Sequence, residues 1–168
     1  MVERKCVIEG LRINYSGIFE IQEFFKLVED WMDEKQRQKE IKKKLEHVEV
    51  DGKFVEWFIE CWRFDTDLVK TNVILRARFK SVKDVILDKG NHKKKYQNGD
   101  ALILLDGFVE TRYEGQWTQN PVYAFMRTLW DKYIHKGWSE RYDAPTRNDA
   151  NDLYKRIDVF FKGYRYVR

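Results

Sequence analysis

The chain has 168 residues, of which 36% are charged, 43% hydrophobic and 15% aromatic; this suits one folded domain, 1–168, that buries its own core, and excludes a low-complexity polymer. Basic and acidic residues number 32 and 28, a net charge of +4, so the field of the whole molecule demands no polyanionic partner. Cys6 and Cys61 have no CxxC spacing, and His47, His92 and His135 are isolated in sequence, so neither a disulfide framework nor a metal or other cofactor is expected. The opening "MVERKCVIEG" is charged and the longest apolar run is "ALILL" (101–105), which points to a cytoplasmic chain without a membrane span.

In chain order, the first predicted strand is 5–15, where Val7, Glu9, Leu11, Ile13 and Tyr15 share one side by the period of two and Gly10 permits a bulge. Ser16 offers an N-cap to a helix whose apolar stripe is Ile18, Ile21, Phe25, Val28 and Met32. Past Met32 the stretch 35–44 turns strongly basic, and the helix ends there or projects into solvent. Residues 41–50 lead through Asp51-Gly52, a strong hairpin signal, into "FVEWFIECWRF" (54–64).

A turn at "DTD" (65–67) then pairs this strand with 68–79 so that Phe64 opposes Lys70, Trp62 opposes Asn72, Phe58 opposes Arg76 and Glu56 opposes Arg78. That register places Val55, Trp57, Ile59 and Cys61 beside Val73, Leu75, Ala77 and Phe79 on an inner face, and leaves an outer face of ion pairs and cation–π contacts. Residues 82–87 continue the strand or begin another, 88–99 read as a mobile polar loop, and 101–117 return as a long strand bent at Gly107. Asn120 and Pro121 open a helix that ends at Gly137. After a loop, Thr146 and Asp149 form a capping-box-like pair before a helix bearing Leu153, Ile157, Phe160, Phe161 and Tyr164 on its apolar side.

The predicted class is α+β: a curved antiparallel sheet of five to six strands packed against an N-terminal helix and one or two C-terminal helices. This order of elements resembles the START/Bet v 1-like (helix-grip, SRPBCC) superfamily, with fewer strands than is usual there. The resemblance implies a sheet wrapped round a C-terminal helix, with a cavity for a hydrophobic ligand between them.

Trp57, Tyr113, Trp117, Tyr123, Met126, Trp130 and Tyr133 combine apolar area with hydroxyl or indole donors, which suits a hydrophobic or amphiphilic small molecule between the sheet and the helix at 121–136. The same residues also read as ordinary core. An RNA- or protein-binding module is the alternative, through the basic segments 35–44, 92–95 and 162–168, with Lys93, Lys94, Lys95 and Arg165 foremost. The Phe58 and Trp62 side of the sheet would serve a homodimer.

No catalytic residue stands out. Glu56 and Glu60 are four residues apart on a strand, about 13 Å, beyond the roughly 5–9.5 Å of glycosidase carboxyl pairs. Glu110 and Glu114 fail in the same way. No nucleophile elbow or phosphate loop appears, so the sequence neither assigns nor rules out an enzymatic activity.

Overall fold

The computed structural model describes residues 2–89, 92–112 and 136–166. Five strands, β1 (Val2–Phe19), β2 (Gln38–Glu49), β3 (Gly52–Phe64), β4 (Val69–Lys89) and β5 (His92–Arg112), form one antiparallel sheet in the order β1-β5-β4-β3-β2. Helix α1 (Ile21–Glu34) joins β1 to β2, and α2 (Lys136–Tyr164) follows the sheet. The sheet is curved and unclosed, and the α+β layout is helix-grip-like, as the element order predicts. Among the described residues no helix is long and apolar enough to cross a membrane.

Strict alternation along β3 and β4 sets the register, because a slip of one residue would turn every apolar side chain outward. Phe64 pairs with Lys70, Trp62 with Asn72, Phe58 with Arg76 and Glu56 with Arg78, the pairing expected from the sequence. Ile59, Cys61, Val73, Leu75, Ala77 and Phe79 are accordingly buried on the inner face, with Ile103 and Leu105 of β5. Phe24, Val28, Trp31 and Met32 of α1 and Leu153, Ile157 and Phe161 of α2 close over them. Phe161 stacks on Tyr15 with ring centroids 4.8 Å apart and meets Phe19 edge-on at 6.2 Å.

Several elements depart from expectation. Ser16 does not cap a helix: it pairs with Asp100 inside β1, which runs on to Phe19 because Tyr15 and Phe19 are core aromatics. The helix begins at Ile21, whose backbone N–H is instead taken by Gln97 Oε1 of β5 at 3.1 Å. In β1 a bulge around Gly10, at φ 73°, changes the phase, so Ile8 packs against the core in place of Val7 and Glu9.

Of the polar stretch 88–99, the described residues are strand and not loop. β4 and β5 pair as far as Lys89 and His92, and Tyr96 is buried; Lys94 and Lys95 join ion pairs and Gln97 accepts from Ile21. At the other end of the chain α2 already includes Lys136 and Gly137 and continues through Pro145. Thr146 is buried in mid-helix, where its hydroxyl donates to the Tyr142 carbonyl at 2.7 Å, and Asp149 is engaged elsewhere, so the capping box does not form.

Asp149 holds Arg37. Helix α1 ends with Gln36 at φ 53°, and the N–H groups of Gln36 and Arg37 return to the carbonyls of Asp33 and Met32 at 3.1 and 2.8 Å. This is the Schellman pattern, with glutamine where glycine is usual. It turns the Arg37 side chain inward to complete burial. Nη1 donates to the carbonyls of Cys61 on β3 and Thr71 on β4, each at 3.3 Å, and Nη2 to Asp149 Oδ2 at 2.6 Å.

Replacing Arg37 with Met removes the cation and its short bond to Asp149, whose carboxylate then keeps, among the described residues, only Lys35 at 3.8 Å. The expected cost in urea unfolding is about 3–5 kcal/mol, the range for breaking one side of a buried pair. A loss under about 1 kcal/mol, the level of an exposed pair, would show that the clamp is dispensable.

Candidate functional site

The inner face is not filled evenly. Under α2 the side chains of Ala150, Leu153, Ile157 and Phe161 are buried against it, but beside α1 a half-open cleft of about 750 Å³ remains. Ile21, Gln22, Phe25, Lys26 and Glu29 of α1 form one wall, and Val55 and Trp57 of β3 with Val82 of β4 form the apolar floor. Lys44, Glu46 and Val48 of β2, Gly52 and Lys53 of β3, Asp84 of β4 and Gln97 of β5 complete the rim.

A local break in pairing positions this floor. The register shifts between Lys80 and Lys83 of β4, with Ser81 at φ 53°. The shift passes the inner-facing role from Phe79 to Val82 and Asp84 and bends the strand. Two glycines accommodate the bend. A Cβ on Gly52, at φ 142°, would meet the Ser81 carbonyl carbon at 2.8 Å, and one on Gly99 would meet the Lys80 carbonyl oxygen at 2.8 Å.

Trp57 is the principal feature of the floor. Its ring stacks on Phe25 with centroids 3.4 Å apart and planes at 18°, and the Lys44 ammonium lies 4.7 Å from its centroid. Its indole N–H is buried and has no acceptor among the described residues. An unpaired buried donor of this kind costs about 1–3 kcal/mol.

Of the residues singled out in the sequence for ligand binding, Trp57 alone is described, and it lines the cleft. Tyr113, Trp117, Tyr123, Met126, Trp130 and Tyr133, with the helix expected at 121–136, lie outside the described residues. Sequence reasoning missed Ile21, Phe25 and Val82 as site residues. Phe25 was legible as helical stripe, but nothing local marked it as facing an opening.

The basic segments are mostly consumed by internal pairs. Lys35 lies near Asp149 and Asp152, Lys39 binds Glu29, Lys42 binds Glu40, and Lys43 binds Glu56. Lys94 bridges Glu20 and Glu23, and Lys95 pairs with Asp84. Lys94 and Tyr164 meet at Glu23, to which the Tyr164 hydroxyl also donates; that bond and Lys94 hold the Glu23 carboxyl below its usual range. Lys93 belongs to β5 and Arg165 is exposed beyond α2.

The outer face is closed upon itself. Arg76 sits over Phe58 at 5.2 Å, Lys70 over Trp62 at 4.9 Å and Arg4 over Phe108 at 4.0 Å. Glu56 is held by Lys43 and Arg78, which keep its carboxyl below the ordinary range, and Glu110 lies near Arg4 and Lys70. Both carboxylates are engaged in ion pairs of the outer face; Glu114 is outside the described residues. Burial pushes the Cys61 thiol up to about 12, so it is no nucleophile. Among the described residues no group of three or more His, Cys, Asp or Glu could hold a metal ion.

No protein-family model matches this chain, and no curated protein or solved structure is significantly similar to it. Function therefore has to be argued from the cleft itself.

Two outcomes test this geometry. Gly52→Ala places a methyl group against the β4 backbone at a φ that L-residues avoid, and is expected to lower stability by about 1–3 kcal/mol in chemical denaturation. In native protein at neutral pH an aromatic disulfide reagent is expected to modify exposed Cys6 and to reach Cys61 only after unfolding; rapid reaction of both thiols would contradict the packing at Arg37.

Proposed function

We propose that the chain binds a small amphiphilic molecule in the cleft between α1 and strands β2 to β4. The observation that carries this reading is Trp57: a large indole on the floor of an open cleft, stacked on Phe25, with a buried N–H that lacks an acceptor among the described residues. Core tryptophans ordinarily find a hydrogen-bond partner, and the cleft volume of about 750 Å³ falls in the range of small-molecule sites. The START/Bet v 1-like resemblance supports the same class of function. It would place the ligand beneath the C-terminal helix, whereas the opening among the described residues lies beside α1.

A ligand here would lay its apolar body on Trp57, Phe25, Val55 and Val82 and keep its polar end at the rim. Binding is the whole of the proposed chemistry, since the carboxylates nearest the cleft are engaged in ion pairs.

The neutral probe N-phenyl-1-naphthylamine, fluorescent in apolar surroundings, tests the site. Saturable binding is expected, and Trp57→Ala should weaken it about tenfold or more, as loss of a central aromatic anchor does. Unchanged affinity in a Trp57→Ala protein with native circular dichroism would overturn the reading. Native mass spectrometry with organic extraction would identify whatever co-purifies.

A further inference from the structure

We propose that the ligand of this cleft carries a carboxylate head group, gripped by the ammonium groups of Lys44 and Lys26; the inference rests on the binding reading above. It follows from how the rim charges are disposed. Three carboxylates line the cleft, and each is already neutralised: Glu29 by Lys39 at 2.5 Å, Asp84 by Lys95 at 2.8 Å, and Glu46 by Lys53. Lys26 and Lys44 line the same cleft, and neither has an ion-pair partner among the described residues. The described contact of Lys44 is with the face of the Trp57 ring, 4.7 Å away.

Among the described residues the cleft therefore holds two uncompensated positive charges above an apolar floor. A carboxylate answers them: it carries the opposite charge and accepts at two oxygens, one for each ammonium. A neutral hydroxyl head would leave the lysines unpaired, and a cationic head would be repelled by them. Apolar walls displace water on one side, so the attraction is screened less than at an open surface. Because Lys44 lies over Trp57, a head group held by it leads the attached chain or ring onto Trp57 and Phe25. Recognition of the head and burial of the body thus occur at adjoining points of one site.

Calorimetric titration with decanoate, 1-decanol and decyltrimethylammonium separates head from body, since the three share a ten-carbon chain. Decanoate should bind about tenfold or more tightly than decanol and lose that margin in high salt, with the ammonium compound weakest. Lys44→Met keeps the aliphatic stem and removes the charge; it should weaken decanoate about tenfold and leave decanol within about twofold. Lys44→Arg should retain the preference.

Equal affinity for decanoate and decanol, or an equal loss of both in Lys44→Met, would overturn the head-group assignment and leave the binding site standing. Failure of all three compounds and of N-phenyl-1-naphthylamine to bind would overturn both.

Discussion

A buried guanidinium holds this fold together. The Arg37 side chain has no contact with solvent, so its charge is tolerable only with a counter-ion and acceptors already in place. Each partner comes from a different element: carbonyls of β3 and β4 and the Asp149 carboxylate of α2. The helices cannot settle on the sheet independently, because α2 must deliver Asp149 where the end of α1 delivers Arg37. A neighbouring network extends the constraint. Trp31 Nε1 donates to Asp152, Arg156 grips Glu34, and Arg63 reaches the Lys35 carbonyl. Gln36 adopts the left-handed conformation that costs a non-glycine residue about 1–2 kcal/mol, and it does so at the one step that turns Arg37 inward.

With both helices anchored at that end, the opposite end of the inner face is where coverage runs out. The sheet bends at the β4 bulge, between Gly52 and Gly99, away from the anchored end of α1. Phe25 and Ile21 bridge part of the space and leave the cleft. On the outer face the described aromatic rings are covered by arginines and lysines that carboxylates in turn neutralise. Functional weight therefore falls on the inner face. There the charges are not balanced pair by pair.

How far the sequence revealed this depended on the range of the interactions. Alternation in 54–64 and 68–79 is local and strict, and with a short turn between them it determined the register to the residue. The stripe on α2 was equally legible, with Leu153, Ile157 and Phe161 buried as expected. Residues 88–99 were misjudged because their polarity masks a strand whose partners are themselves polar, Lys83 with Asn98 and Asp84 with Gln97. Arg37 sat unremarked in a basic cluster, since its counter-ion is 112 positions away and the left-handed turn that aims it carries glutamine where glycine would have been the signal. The cleft was illegible for a further reason: Phe25, Trp57 and Val82 each look like core, and only the bulge that parts them makes a floor.

The edge strand β2 unites these themes. Every residue of it is exposed, and its lysines guard an unpaired edge against further strands, a usual means of preventing aggregation. Alternation divides those lysines between the two faces. Lys43, opposite Phe58, turns outward to Glu56; Lys39, opposite Cys61, turns inward to Glu29 of α1. Lys44, opposite Trp57, also turns inward but finds an aromatic face and no carboxylate. Edge protection alone explains a charge at that position. It does not explain why this lysine, among β2 lysines that have anions, faces the cleft with none among the described residues.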